Sequence, residues 1–114
     1  MTKPLGPYPP ILRSGDLLFV SGQVGLRDGG LVDGDVAAQA EQALTNLAGL
    51  LAGEGVSMSD VVKTTVFLTD MDHYAPVNEV YVAAFGDHRP ARSAVAVAGL
   101  PIGALVEIEA IART

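Results

Sequence analysis

Two charged residues in the second half of this 114-residue chain have sequence neighbours that favour a chemical role. Arg92 follows Pro90-Ala91 at the start of a predicted strand, where its planar guanidinium could hold a carboxylate through two hydrogen bonds. Glu107 lies between apolar residues of another predicted strand, so its carboxylate must be paired, hydrogen-bonded or exposed. It could act as a base or orient a water molecule. From position alone, Arg92 could instead pair with a surface aspartate, and Glu107 could form an ion pair with Arg92 or Arg113.

Three other polar side chains and a second glutamate are weaker candidates for a site. Tyr8 could close over a site or simply pack, and the Ser21 hydroxyl, at the end of a predicted strand, could bond locally or face a ligand. No histidine stands near Ser21 in the sequence, so a hydrolase triad is not supported. Asn78 lies in the middle of a predicted helix, where asparagine usually faces solvent. Glu109 shares a strand face with Glu107 at a separation of about 7 Å, and this spacing also fits a surface or an interface.

The charge and cysteine counts exclude several kinds of function. Seven Lys and Arg against thirteen Asp and Glu give a net charge of −6, which disfavours nucleic acid as a partner. The chain has no cysteine and only two histidines, so we expect no disulfide, no thiolate nucleophile and no metal site. No apolar run approaches the roughly 20 residues that cross a bilayer, and no apolar signal segment follows Met1. The expected location is therefore the cytoplasm, without a membrane partner.

The pattern of apolar residues predicts one domain, residues 1–114, in which strands and helices alternate. Predicted helices cover residues 35–52 and 73–85. Predicted strands cover residues 16–23, 61–69, 91–98 and 104–113, with an edge strand or extended arm at 11–13. A solvent loop with at most a brief strand at Leu31-Val32 is expected over residues 25–34. This order favours an α+β fold, a single mixed β-sheet backed by two α-helices on one face.

The same pattern predicts which side of each helix faces the sheet. In the first helix the inward residues are Val36, Ala40, Ala43, Leu44, Leu47 and Leu51, and the other side carries Gln39, Glu41, Gln42 and Asn46. In the second helix the predicted inward stripe is Tyr74, Val77, Tyr81 and Ala84. The apolar run at residues 17–21 is expected to be buried on both faces of the sheet.

The sheet face without helices is predicted to be covered by other copies of the chain. Apolar residues make up 49% and charged residues 18% of the sequence, and a chain this short cannot bury all of that apolar surface alone. In the last strand Val106, Ile108, Ala110 and Ala112 form a wholly apolar face suited to the helices. The opposite face mixes Glu107 and Glu109 with Leu105 and Ile111. This mixture fits a subunit interface that contains a polar site, so we expect a homo-oligomer.

Seven ordered sequence blocks between Gly6 and Ala112 resemble the RidA/YjgF family, also known as liver perchloric-acid-soluble protein or endoribonuclease L-PSP domains. The blocks are Gly6-Pro7-Tyr8, Val20-Ser21-Gly22-Gln23, residues 39–47, residues 60–71, residues 77–81, Pro90-Ala91-Arg92-Ser93 and residues 106–112. The resemblance implies a chorismate-mutase-like fold that assembles as a homotrimer, with three sites in the clefts between subunits.

The resemblance also implies an activity and a role for each candidate residue. Members of the family hydrolyse reactive enamines and imines, such as 2-aminoacrylate and 2-iminobutanoate formed by PLP-dependent dehydratases, to 2-keto acids and ammonia. The family's arginine at the position of Arg92 grips the substrate carboxylate, and its glutamate at the position of Glu107 helps to place the attacking water. The positions of Tyr8, Ser21, Asn78 and Ala94 line the pocket. No metal or cofactor is implied.

The chain departs from the family pattern at two places beside the expected site. Ala94 stands where many members carry a cysteine, although a backbone carbonyl would be retained there. The connection over residues 86–89 is shorter than in many members, which leaves the arginine in place but puts the substrate range in question.

Two other functions stay open at this point. A non-catalytic module that binds small carboxylates such as 2-keto acids would use the same residues. A role in RNA cleavage or protein interaction is the other, and the net charge of −6 and the lack of a basic stripe argue against RNA. Chorismate mutase activity is an analogy of fold only.

Overall fold

A computed structural model describes residues 4–114 of the chain, and over these residues strands and helices follow the predicted order. The strands are β1 (Ile11–Ser14), β2 (Leu17–Gln23), β3 (Leu26–Arg27), β4 (Gly30–Leu31), β5 (Val61–Leu68), β6 (Ala91–Ala96) and β7 (Val106–Arg113). The helices are α1 (Val36–Gly53) and α2 (Tyr74–Phe85). Short 3₁₀ turns at Met58–Asp60, Met71–His73 and Pro101–Gly103 precede β5, α2 and β7.

Five of the strands form one mixed sheet in the order β1-β2-β7-β5-β6. Neighbouring strands are antiparallel except β5 and β6, which are parallel because α2 carries the chain back across the sheet between them. The predicted α+β architecture, a mixed sheet with two helices, is confirmed.

The segment predicted as a loop with a brief strand at Leu31-Val32 instead contains a small two-stranded hairpin. Its strands, β3 and β4, are joined by Asp28 and Gly29, both of which have positive φ, 54° and 86°. An Asp-Gly pair with this backbone is the turn that best matches the twist of a tight hairpin. The prediction was wrong because strands of two residues are too short to show an alternation of apolar and polar residues.

The hydrophobic core lies between the helices and the face of the sheet that they cover. The predicted inward side of α1 is buried throughout, and Ala40, Ala43, Leu47 and Leu51 are fully enclosed. The Asp35 side chain accepts a hydrogen bond from the backbone N–H of Ala38 and caps the start of this helix. The predicted apolar face of β7 is buried against the helices, which confirms the alternation along this strand.

Gln39, predicted on the outer side of α1, is buried. Its Oε1 accepts a hydrogen bond of 2.8 Å from the backbone N–H of Leu105, just before β7. Asn46 on the same helix donates to the carbonyls of Val24 and Leu26. The polar residues of α1 therefore satisfy backbone groups of the neighbouring loops, which periodicity alone does not show.

The inward stripe predicted for α2 is correct in the middle and wrong at both ends. Val77 and Tyr81 are buried, but Tyr74 and Ala84 are exposed, and Phe85 is buried in place of Ala84. The buried positions 77, 81 and 85 follow a single four-residue spacing, so the buried side of the helix is narrower than predicted.

The other face of the sheet, called the open face below, has no helix on it. It includes Phe19 of β2, Thr65 and Phe67 of β5, and Glu107 and Ile111 of β7, which the strand register places on one side. Leu17 and Phe19 are 39% and 40% exposed there, so the prediction that β2 is buried on both faces is wrong for the single chain. Both helices cover the opposite face.

The buried hydrogen bond of Gln39 predicts a measurable loss of stability. Gln39→Met keeps the length of the side chain but leaves the Leu105 N–H without its acceptor, which should lower the free energy of unfolding by about 1–3 kcal/mol. Urea unfolding measures this loss. The control is Glu41→Met at an exposed position of the same helix, which should change stability by less than about 0.5 kcal/mol. Equal stabilities of the two variants would contradict the role of the bond.

Candidate active site

Arg92 lies on the edge strand β6, and its side chain extends over the face of the sheet that α2 covers. Its Nη1 donates to the Asn78 Oδ1 at 2.8 Å, and its Nη2 donates to the Tyr74 hydroxyl at 3.1 Å. The guanidinium carbon lies 4.8 Å from the centre of the Tyr81 ring and 5.5 Å from that of Tyr74. Three residues of α2 thus surround one guanidinium on its helix side.

The partners of Arg92 are neutral. Within residues 4–114 no carboxylate lies at ion-pairing distance from the Arg92 guanidinium, so neither of the predicted ion pairs, with a surface aspartate or with Glu107, is formed in the single chain. An arginine oriented by an amide and a phenol keeps its full positive charge. The arrangement therefore suits the binding of an anion.

Glu107 lies on the open face of β7, beside Phe67 in the register of β5. Its carboxylate packs on the backbone of Gly22, where a Cβ, if the residue carried one, would come within 2.7 Å of Oε2. A side chain at position 22 would collide with the carboxylate, so glycine is what allows this contact. Burial, and to a lesser extent the charge of Glu109, raise the pKa of Glu107 above its ordinary value.

Ser21 and Tyr8 are neighbours of Gly22, on which the Glu107 carboxylate packs. The Ser21 hydroxyl donates to the carbonyl of Pro9 at 2.7 Å and ties the N-terminal segment to the end of β2. Tyr8 lines a shallow pocket together with Gly22 and Gln23. Because β2 has an irregular register between Val20 and Gln23, this part of the strand is free to bond with the N-terminal segment instead of with β7.

The predicted site residues thus form two groups on opposite faces of the sheet. Arg92 pairs in register with Thr64 of β5, and the Thr64 side chain bonds to the buried Tyr81 on the helix side of the sheet. Glu107 pairs in register with Phe67, on the open face. Asn78 belongs to the Arg92 group, and so does Ala94, which lies two residues along the same strand and packs against the core. Tyr8 and Ser21 belong to the Glu107 group. A single chain does not bring the two predicted catalytic residues together.

Two residues of the Arg92 group, Tyr74 and Tyr81, were not singled out as site residues in the sequence. Tyr74, Asn78 and Tyr81 are spaced at four and three residues, which places them on one side of a helix. That spacing was readable in advance for Tyr74 and Tyr81. The contact of all three with Arg92 was not, because it depends on the parallel pairing of β5 with β6.

A larger cavity, of about 520 Å³, opens between the two helices and lies apart from both groups. Its walls are mostly aliphatic side chains of α1 and α2, with Met58 at one end and the carboxylates of Glu41 and Glu79 among them. It contains none of the predicted site residues. We therefore do not place the chemistry in the cavity.

Two findings concern metals and membranes. Within the described part of the chain, no three histidine, aspartate or glutamate side chains come together in a way that could hold a metal ion. Over the same residues, neither helix is both long enough and apolar enough to cross a membrane.

The sequence pattern of the Endoribonuclease L-PSP family matches residues 1–114. The chain therefore belongs to this family, the RidA/YjgF family that its sequence blocks resemble. It is 47% identical over 110 residues to the mouse 2-iminobutanoate/2-iminopropanoate deaminase, an alignment that covers 95% of this chain and 82% of the mouse protein.

Solved structures of similar proteins agree with the fold. RidA from an Antarctic Psychrobacter bacterium superposes with a TM-score of 0.94 at 40% identity, over 98% of this chain and 92% of that one. E. coli TdcF with bound serine superposes with a TM-score of 0.92 at 39% identity, over 97% and 90% of the two chains.

The environment of Glu107 predicts its titration. The midpoint of the Glu107 carboxyl, followed by carbon NMR, should lie above the ordinary value of 4.5. Glu109→Gln should lower that midpoint, because it removes a negative charge two residues away on the same strand. Glu41→Gln, on a helix across the sheet, is the control and should leave the midpoint unchanged. If the Glu107 midpoint is the same in the wild type and in Glu109→Gln, the two carboxylates do not interact.

The same shift sets the sign of a pH effect on stability. Because the folded chain holds the Glu107 proton more tightly than the unfolded chain does, this residue's contribution to stability is complete below pH 4.5. It is lost as the pH rises through the folded-state pKa. Glu107→Gln should remove that part of the pH dependence, which urea unfolding at several pH values measures.

Proposed function

We propose that this protein hydrolyses enamine and imine intermediates of the 2-aminoacrylate and 2-iminobutanoate type to 2-keto acids and ammonia. The observation that carries the proposal is an arginine that is oriented by neutral partners and keeps its charge for an anion. The substrates proposed here all carry a carboxylate. The mouse relative at 47% identity is a 2-iminobutanoate/2-iminopropanoate deaminase, which supports the same reaction class.

Arg92 would bind the substrate carboxylate. A guanidinium has five N–H donors, and the bonds to Asn78 and Tyr74 use only two of them. The remaining donors can hold both oxygens of a carboxylate side by side. Because the whole protein carries a net charge of −6, an anionic substrate needs such a local positive group to be captured.

Glu107 would handle the proton of the attacking water. The imine carbon is already electrophilic, so catalysis requires a water held close to it and a group that accepts a proton. Water adds to the C=N carbon, and one of its protons passes to the nitrogen, which gives a carbinolamine. The remaining hydroxyl proton then passes to the nitrogen as the C–N bond breaks, which releases ammonia and leaves a C=O group. A carboxylate whose pKa is raised above its ordinary value is a better proton acceptor than an unperturbed glutamate.

The complete site would form between two copies of the chain. Since Arg92 and Glu107 occupy opposite faces of one sheet, the Arg92 group of one subunit must meet the Glu107 group of another for both to act on one substrate. The apolar residues of the open face, including the exposed Phe19 and Val95, would be covered by the contact. We propose a homotrimer with three such sites. E. coli TdcF, with bound serine, shows that a protein of this fold holds a small molecule with a carboxylate.

A coupled assay tests the activity. Added to threonine dehydratase, the protein should speed the release of ammonia above the rate of spontaneous hydrolysis. Arg92→Ala should reduce this acceleration about 10- to 100-fold, because it removes charged hydrogen bonds to the substrate. Arg13→Ala, at a surface position near Glu54, is the control and should keep full activity. Wild-type protein that leaves the spontaneous rate unchanged would contradict the proposed reaction.

Mixing inactive variants tests whether the site is shared between subunits. Arg92→Ala and Glu107→Gln, inactive separately, should regain about a quarter of wild-type activity when unfolded and refolded together, because a random mixture completes that share of the sites. Arg92→Ala mixed with the double variant Arg92→Ala/Glu107→Gln has no complete site and should stay inactive. Light scattering of the wild type should give three times the 11.7 kDa of one chain. A monomeric mass, or no recovery of activity, would contradict the shared site.

A second candidate function is the binding of 2-keto acids without turnover. It is motivated by the connection between α2 and β6 over residues 86–89, which is shorter than in many members of the family. Calorimetry that shows binding of a 2-keto acid, together with a negative dehydratase assay, would select this function. The expectation that the protein does not bind nucleic acid stays a prediction.

A further inference from the structure

Tyr81 lies between the Arg92 guanidinium and the hydrophobic core. Its ring centre is 4.8 Å from the guanidinium carbon, and the residue is only 4% exposed. A cation at this distance from an aromatic ring is attracted by the negative charge density of the ring face. Tyr81 thus contacts the arginine from the inside of the protein, where solvent does not compete.

The Tyr81 ring is itself held by two neighbours. Its hydroxyl shares a hydrogen bond of 2.7 Å with the hydroxyl of Thr64, which is fully buried. The ring of Phe85 packs against it with the centres 4.6 Å apart. Thr64 also pairs in register with Arg92 on the neighbouring strand. The pairing of β5 with β6 therefore places both Thr64, which bonds to Tyr81, and Arg92, which the Tyr81 ring contacts.

The Tyr81 phenol is neutral in this position. Burial is the main influence on its pKa and raises it, while the Thr64 bond and the charge of Arg92 lower it to a smaller extent. Arg92 therefore meets an uncharged ring and not a phenolate, and the contact leaves the charge of the guanidinium available. Tyr74 differs, because it is 41% exposed and contacts Arg92 from the solvent side through its hydroxyl.

We propose that Tyr81, held by Thr64, is a positioning residue that orients the Arg92 guanidinium for the carboxylate of the substrate. The inference rests on the proposed function, since it takes the carboxylate to be the group that Arg92 binds. An arginine side chain has many conformers, and fixing one of them at the moment of binding weakens affinity. A ring that holds the guanidinium beforehand removes most of that loss. No role of this kind was assigned to Tyr81 or Thr64 from the sequence.

Ligand pairs that differ only in the carboxylate test this role. Calorimetry compares 2-oxobutanoate with 2-oxobutanamide, its uncharged amide, on the full-length protein. Tyr81→Leu should reduce the preference for the carboxylate by about 3- to 10-fold while leaving the affinity for the amide unchanged. Tyr81→Phe keeps the ring but loses the bond to Thr64, so it should reduce the preference by only about 2- to 3-fold, less than Tyr81→Leu does. A general disturbance of the fold would lower the affinity for both ligands to the same extent.

A second readout does not depend on any ligand. The NMR signal of the Arg92 Nε–H should be displaced by the nearby ring in the wild type and in Tyr81→Phe, and should move to the position of a mobile arginine in Tyr81→Leu. If Tyr81→Leu does not fold, Thr64→Val replaces it. That variant keeps the ring but removes its bonded partner, and should reduce the carboxylate preference by about 2- to 3-fold.

The outcomes separate the two proposals. An unchanged carboxylate preference together with an unchanged Arg92 signal in Tyr81→Leu would overturn the positioning role and leave the proposed function standing. Wild-type protein that binds both ligands equally would overturn the carboxylate role of Arg92, and with it the purpose assigned to Tyr81. Equal losses in Tyr81→Leu and Tyr81→Phe would also overturn the inference, because they would assign the effect to the hydroxyl and not to the ring.

Discussion

Successive side chains of a β-strand point to opposite faces of the sheet, and this alternation governs the whole arrangement described above. Both helices pack on one face, so every strand must present apolar residues there, as β7 does with Val106, Ile108, Ala110 and Ala112. The residues that alternate with these lie on the open face, outside the core, and can carry charge. Glu107 is one of these, whereas Arg92 reaches the helix side from an edge strand, where its long side chain can leave the core. Two groups with complementary chemistry therefore face away from each other in one chain.

Much of the fold was predictable because periodic burial leaves a strong trace in the sequence. The buried side of α1 and the two faces of β7 followed from spacing alone. Contacts that depend on one hydrogen bond left no periodic trace, and so Gln39 was placed on the wrong side of its helix. The hairpin at Asp28-Gly29 was missed for a different reason, since its two strands have two residues each and are too short to show any alternation.

The candidate site was predictable in part. Arg92 and Glu107 drew attention because a charge among apolar or small residues needs an explanation. Tyr8, Ser21 and Asn78 were weaker candidates, and the family resemblance then implied that they line the pocket. The structure separates these residues into two groups on opposite faces of the sheet. The sequence motifs do not show this separation, because it depends on how the strands pair. It also adds Gly22 to one group and Tyr74 and Tyr81 to the other. These residues act through shape and contact, and their types alone do not distinguish them from ordinary core or turn residues.

The last strand of the chain occupies the centre of the sheet, between β2 and β5. While the ribosome is still making residues 106–113, the earlier strands β2 and β5 both lack their main partner and expose unpaired backbone edges. The sheet can close only after residues 106–113 have been made, and its pairing of β2 with the distant β7 predicts slow folding for a domain of this size. A chain cut short before β7 would lose the middle of its sheet, and the remaining strands would be prone to aggregate.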